Sequence, residues 1–171
     1  MDAGKLVTLG ILGLALVLGV FAWTYHKGRS DRAIDYWGAE NAVRVRRAPV
    51  LRLSRLRRAT EGETEVDSTQ PVIQIDGEAW QVDPAIDITD ARGLVHLRQA
   101  LVENGSFDWS RPRAGESLTW DYLMRFEAEG PDATPLEVAI GLDSACLQCL
   151  DGRPAVGLRI AAGVRSFLTD A

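Results

Sequence analysis

A stretch of twenty residues without a charged side chain, Leu6 to Tyr25, is the feature that most constrains this chain. As an α-helix rising about 1.5 Å per residue, it would be about 30 Å long, which matches the hydrocarbon core of a bilayer. Trp23 and Tyr25 lie at its end, and such aromatic rings prefer the level of the lipid headgroups. The sequence therefore predicts a single-pass transmembrane helix, with the lipid bilayer as its partner.

A cleaved secretory signal peptide is the competing interpretation of this stretch. The apolar region of a signal peptide is about 7–15 residues long and is followed by a cleavage site with small residues. Here the apolar run is longer, and the sequence at its end, FAWTYHKG, is bulky. We therefore expect an uncleaved signal anchor, residues 1–25, that keeps the protein in the membrane.

Charge divides the rest of the chain into two parts of opposite sign. Residues 26–58 form a basic juxtamembrane neck with ten Lys/Arg against three Asp/Glu, a net charge of +7. Residues 59–171 form an acidic body with a net charge of −12. Because Lys and Arg gather on the cytoplasmic side of a membrane helix, we expect the C-terminal domain to be cytoplasmic.

Six basic residues of the neck are candidates for a membrane surface, because juxtamembrane Lys and Arg attract anionic lipid headgroups. Two other interpretations stand beside this one. The arginines can pair with the acidic body, or they can remain solvated along a strand edge. We expect no nucleic acid partner, because the body is acidic and has no basic stripe interleaved with aromatic residues. The candidates are Lys27, Arg29, Arg32, Arg44, Arg46 and Arg47.

Apolar and polar side chains alternate between residues 43 and 54, with arginine at most of the polar positions. A period of two predicts a strand, and the core of the domain then begins near residue 42. Pro49 interrupts the pattern, so we expect an edge strand with a bulge or two short strands. A helix that opens with Pro49 is the alternative.

The acidic body reads as short strands around one or two helices. VIQIDGEAWQV predicts a hairpin that turns at Asp76-Gly77. Residues 87–105 predict a helix capped by Asp87 or Thr89, and residues 118–129 predict a strand. LEVAIGL and ACLQCL predict a second hairpin, and the C-terminus predicts a strand followed by a short helix. Together these elements predict an α+β fold with a mostly antiparallel sheet.

Cys146 and Cys149 are the only cysteines, and their C-x-x-C spacing is found in redox and metal sites. In redox proteins of this kind the motif precedes a long helix that lowers the pKa of a thiol. Here the turn DGRP follows within two residues, and in a strand these two side chains face opposite ways. We expect a structural role, with thiol-redox activity as the weaker alternative.

A metal site or a catalytic histidine has little support in the sequence. A structural zinc ion needs four ligands, and only His26 and His96 are present besides the two cysteines. His96 has no nucleophile identifiable beside it, and common nucleotide-binding and hydrolase motifs do not occur. We expect no cofactor and no metal.

Two further patterns bear on partners. Ala15 and Gly19 form a small-x-x-x-small pair, which allows close packing with a helix of a membrane-protein partner. Trp80, Trp109 and Trp120 could line a small-ligand pocket, although core packing is the commoner role. Architecture therefore favours a membrane-anchored interaction, tethering or complex-assembly protein rather than an enzyme. A membrane-tethered thiol protein and a small-ligand sensor are the alternatives.

Overall fold

The structure is a computed structural model that describes residues 3–59, 70–112, 116–128, 130 and 134–170. The side chains of residues 3, 5–9, 24–31 and 170 are outside this description. The chain adopts the predicted α+β class, with antiparallel strands paired into one sheet and a few helices. Its helices are α1 Ala3–Trp37, α2 Ala39–Arg47, α3 Leu94–Ala100, α4 Ala161–Asp170 and a 3-10 helix Asn104–Ser106.

The sheet contains nine strands in the described residues, in the order β2-β3-β1-β6-β7-β8-β9-β5, with β4 also beside β1. The strands are β1 Leu51–Arg58, β2 Val72–Ile75, β3 Glu78–Val82, β4 Ile86–Asp87, β5 Phe107–Asp108, β6 Tyr122–Phe126, β7 Leu136–Gly141, β8 Cys146–Cys149 and β9 Val156–Leu158.

The β2–β3 hairpin folds over one face of this sheet. β3 and β4 share one edge of β1, and three residues, Asp83 to Ala85, separate them. At the hairpin tip the Asp76 carboxylate accepts a hydrogen bond from Gln148 Nε2 on β8, at 3.0 Å. Since β8 lies five positions from β2 in the sheet order, this contact crosses the sheet face and closes the hairpin over it.

Two apolar cores result, one on each face. The helix-side core lies between the sheet and all four α-helices and includes Trp37, Val45, Leu97, Met124 and Cys149. The hairpin-side core is smaller and comprises Leu56, Ile75, Trp80, Val82, Trp120, Leu123, Ala139 and Cys146. Because successive strand residues point to opposite faces, the central strands contribute to both cores.

The C-terminal end of α1 is part of the helix-side core. Ala33 and Trp37 have no exposed surface, and Trp37 Nε1 donates a hydrogen bond to the Leu101 carbonyl at 2.7 Å. The packed unit therefore starts N-terminal to residue 42, and we call residues 33–170 the sheet domain. In the part of the chain that the structure describes, no helix is long and apolar enough to cross a membrane.

The predicted strand at residues 43–47 is wrong, because this segment is α2. Ala42 and Val45 point into the core at helical spacing, whereas Val43 is 55% exposed. Glu40 near the start of α2 and arginines in its last turn also suit the helix dipole. The alternation of valine and arginine was too short to outweigh this packing. The edge-strand prediction also fails, since β1 has partners on both edges.

The helix predicted at residues 87–105 exists but is shorter, and its predicted cap is wrong. α3 begins at Leu94, after Gly93 at φ 93°. Asp87 pairs with Arg52 in the ladder between β4 and β1, and the Thr89 hydroxyl accepts a hydrogen bond from Leu51 N–H at 3.0 Å. The Asp87 carboxylate accepts a hydrogen bond from Thr89 N–H at 2.8 Å, so neither side chain caps α3.

The predicted hairpins and C-terminal elements are confirmed. β2 and β3 turn at Asp76 and Gly77, which have φ values of 52° and 82°, as a type I′ turn requires. β7 and β8 pair over four registered positions, and β9 is followed by α4. In its described residues the sheet domain has three α-helices besides the end of α1, more than the one or two predicted.

We expect Trp37→Phe to lower the free energy of unfolding by about 1–3 kcal/mol, because the Leu101 carbonyl loses a buried donor. Chemical denaturation of the full chain in mild detergent measures this loss. Trp109→Phe is the matched control, since Trp109 Nε1 is buried and has no hydrogen-bond partner among the described residues. Equal losses in the two variants would contradict a role for the Trp37 hydrogen bond.

Candidate functional site

The two cysteines lie in β8 as buried free thiols. Cys149 belongs to the helix-side core with Leu147, whereas Cys146 belongs to the hairpin-side core with Trp80 and Trp120. The predicted strand orientation is therefore the one observed, with the two thiols on opposite faces. This arrangement places the sheet between them and gives neither a shared metal site nor a short path to a disulfide.

Burial also makes both thiols poor nucleophiles. It raises the pKa of Cys149 from 9.0 to about 11, and it raises the pKa of Cys146 as well. The thiolate is the reactive form, so both thiols are protonated near neutral pH. Redox cysteines of the C-x-x-C type have lowered pKa values instead, and this difference weakens the thiol-redox interpretation.

Metal-binding and pocket candidates find little geometric support. Within the described residues, no group of three or more His, Cys, Asp or Glu side chains is placed to hold a metal ion. His96 is exposed on α3, and the side chain of His26 lies outside the described residues. Trp80 and Trp120 are buried in the hairpin-side core, where Trp120 also lines a surface cleft of about 330 Å³. Trp109 packs against Phe107 at a ring distance of 5.0 Å.

The junction between α1 and the sheet domain is a feature that sequence reasoning missed. Tyr36 accepts a hydrogen bond from Cys149 N–H at 3.2 Å, and its ring lies 5.3 Å from Trp37, 6.3 Å from Phe107 and 6.2 Å from Trp109. Burial raises the pKa of the Tyr36 hydroxyl. The spacing of Ala33, Tyr36 and Trp37, at i, i+3 and i+4, was the available signal, because it marks one helix face.

The exposed part of α1 is apolar on every side. All described side chains between Ile11 and Trp23 are exposed, including Ala15 and Gly19 of the small-residue pair. The side chain of Tyr25 lies outside the described residues. A helix that is apolar all round is normally buried in lipid or protein, whereas the described side chains of this segment are exposed.

The arginines of the neck are divided between paired and unpaired groups. Arg44 binds Glu40 at 3.0 Å and the Thr134 carbonyl at 2.8 Å, and Arg57 binds Asp83 at 2.8 Å. Pairing with a carboxylate of the acidic body therefore holds for Arg57, whereas Arg44 pairs with a carboxylate of the neck and reaches the body through the Thr134 carbonyl. Arg32, Arg46 and Arg47 are exposed and have no carboxylate partner among the described residues. The side chains of Lys27 and Arg29 are outside the described residues.

Arg46 and Arg47 lie beside a surface cleft between α2 and α3 with a volume of about 510 Å³. Arg98 of α3 lines the same cleft and donates hydrogen bonds to the Ala48 carbonyl at 2.8 Å and the Arg46 carbonyl at 3.4 Å. Partial burial lowers the pKa of Arg98. Arg98 was not a sequence candidate, because only the packing of α3 against α2 brings it to this cleft.

Comparison with known proteins gives no family assignment: no family model, curated protein or solved structure matches this chain.

We expect slow alkylation of Cys149 in the folded protein, with a rate that rises as pH approaches about 11. The buried protonated thiol contributes stability that is complete below pH 9 and is lost as pH rises toward 11. Iodoacetamide labelling, read for each cysteine by mass spectrometry across this pH range, tests both thiols. The same reaction in denaturant is the control and should be fast. Rapid labelling of the folded chain at neutral pH would contradict the buried-thiol interpretation.

Proposed function

We propose that this chain is a membrane-anchored, non-enzymatic interaction protein. In this proposal α1 holds the sheet domain beside a bilayer, and the domain tethers or helps to assemble a membrane complex. The observation that carries the proposal is that α1 is one continuous helix whose two parts differ in burial. Its residues from Ile11 to Trp23 are exposed and apolar, whereas Ala33 and Trp37 are buried in the helix-side core.

The anchor part of the proposal combines sequence with exposure. The side chains described between Ile11 and Trp23 cover only part of the charge-free stretch Leu6 to Tyr25, so the full span is taken from the sequence. Twenty uncharged residues have the length for a bilayer core, and water solvates such a surface poorly. This apolar surface is therefore more stable in lipid than in water.

The structure of α1 favours a rigid connection to the anchor. The helix continues for twelve residues after Tyr25, about 18 Å, before it ends at Trp37. This distance is about twice the Debye length of about 8 Å in physiological salt. Lys27, Arg29 and Arg32 occur within this segment and are the better candidates for anionic headgroups. Arg44, Arg46 and Arg47 follow the break at Gly38 and are better suited to protein contacts.

Orientation and helix association belong to the same proposal. The excess of Lys and Arg after the charge-free stretch supports a cytoplasmic sheet domain in a single-pass protein. Ala15 and Gly19 offer a face on which the helix of a membrane-protein partner packs closely.

The buried positions of Cys146 and Cys149 support this interaction function over thiol-redox chemistry.

Two arginines in the centre of the charge-free stretch should release the protein from membranes. Each arginine at such a position costs about 2.5–3.5 kcal/mol of insertion free energy, so we expect Leu14→Arg with Leu18→Arg to move the chain into the alkaline carbonate supernatant. The wild type and the control Leu14→Ile with Leu18→Ile should stay in the pellet. A wild type that is extracted by carbonate would refute the anchor.

The orientation is tested by a reporter enzyme fused after Ala171 that is active only outside the cytoplasm. We expect no activity from this fusion, because the basic residues after the charge-free stretch retain the domain in the cytoplasm. A cytoplasm-active reporter at the same position is the control and should be active. The reverse pattern would place the sheet domain on the other side of the membrane.

A further inference from the structure

The cleft between α2 and α3 has an unusual balance of charge. Arg46, Arg47 and Arg98 line it, and Asp90 is the only acidic residue in its lining. Its volume, about 510 Å³, is large enough for several side chains of a partner. The lining therefore has a net charge of +2 in a protein whose residues 59–171 are strongly acidic.

Most arginines of the sheet domain outside this cleft are already neutralised. Eight of them form ion pairs with carboxylates: Arg44, Arg52, Arg57, Arg58, Arg111, Arg125, Arg153 and Arg165. The three arginines of the cleft have no such pair in the described part of the chain. An acidic chain that leaves neighbouring arginines unpaired has positive charge available for an external anion.

The position of Arg98 is fixed by the protein itself. Its guanidinium donates to the Ala48 and Arg46 carbonyls at the C-terminal end of α2, while its Nε is buried and has no hydrogen-bond partner among the described residues. A cation at this end of a helix offsets the partial negative charge of the helix dipole. Arg98 thus reduces the repulsion that an anion would meet at the end of α2.

The cleft also has an apolar side. Ala91 and Leu94 line it, and Val95 is 77% exposed at its margin. A free phosphate would contact the arginines and leave this surface uncovered. A peptide with carboxylates and an apolar side chain complements both parts of the cleft.

We propose, building on the interaction function above, that the α2–α3 cleft docks an acidic segment of a partner protein. Carboxylates of this segment pair with Arg46, Arg47 and Arg98, and an apolar side chain of the segment covers Val95. The partner is thereby defined by its chemistry, as a protein with an exposed Asp/Glu-rich segment that also contains apolar residues.

A photoreactive residue at the margin of the cleft tests this proposal in the full chain. Val95→p-benzoylphenylalanine is introduced into the membrane-bound protein, and the adducts formed on irradiation are sequenced by mass spectrometry. We expect adducts with an Asp/Glu-rich segment of another protein. Adding Arg46→Glu and Arg47→Glu should lower their yield about tenfold, because like charges then face each other across the interface.

The matched control carries Arg55→Glu and Arg159→Glu, which change the same number of exposed arginines away from the cleft and should leave the yield unchanged. Circular dichroism melting confirms that each variant is folded. The proposal is overturned by adducts with lipid, with a second copy of this chain or with a segment that is not acidic, by the absence of adducts, or by equal losses in both charge-reversed variants.

Carbonate extraction of the same membranes distinguishes failure of the proposed docking site from failure of the proposed membrane anchor. If the chain remains in the membrane but gives no acidic adduct, the docking site fails and the anchor stands. If the chain is extracted, the proposed membrane function fails independently of the cleft.

Discussion

The rest of the structure depends on the packing of the end of α1 into the sheet domain. Trp37 is fully buried and donates to the Leu101 carbonyl, and Tyr36 accepts from the backbone of β8. These contacts join an apolar helix to the middle of a folded core rather than to a flexible linker. The end of α1 is therefore held by hydrogen bonds to the residue that follows α3 and to β8.

The net charges of the neck and the body do not show which arginines are paired with carboxylates. In the described residues, three arginines of the basic neck pair with carboxylates of the acidic body, in Arg52–Glu127, Arg57–Asp83 and Arg58–Glu78, while Arg44 pairs with Glu40 inside the neck. Exposed ion pairs of this kind add little stability. Because they neutralise most arginines of the sheet domain, the remaining positive charge lies on the few unpaired arginines. The cleft between α2 and α3 is where unpaired arginines meet an exposed apolar residue, and this combination favours a protein partner.

Sequence patterns predicted those elements whose signals are local. The Asp76-Gly77 turn and the β7–β8 hairpin were predicted because turn residues and alternation act over a few positions. Residues 43–47 were mispredicted because valine and arginine alternate there, while burial of Ala42 and Val45 against the core favours a helix. The cap of α3 failed for a related reason, since Asp87 and Thr89 are held by contacts with β1.

The sequence by itself determined the charge-free stretch, the α+β class and the opposite orientation of Cys146 and Cys149, because each follows from composition or a short period. Only the tertiary structure decided that Trp37 is a core residue, that the hairpin closes over the second face of the sheet, and that Arg98 joins Arg46 and Arg47. These features need contacts between residues about 50 or more positions apart, at 64, 72 and 50 positions respectively, which no local pattern encodes.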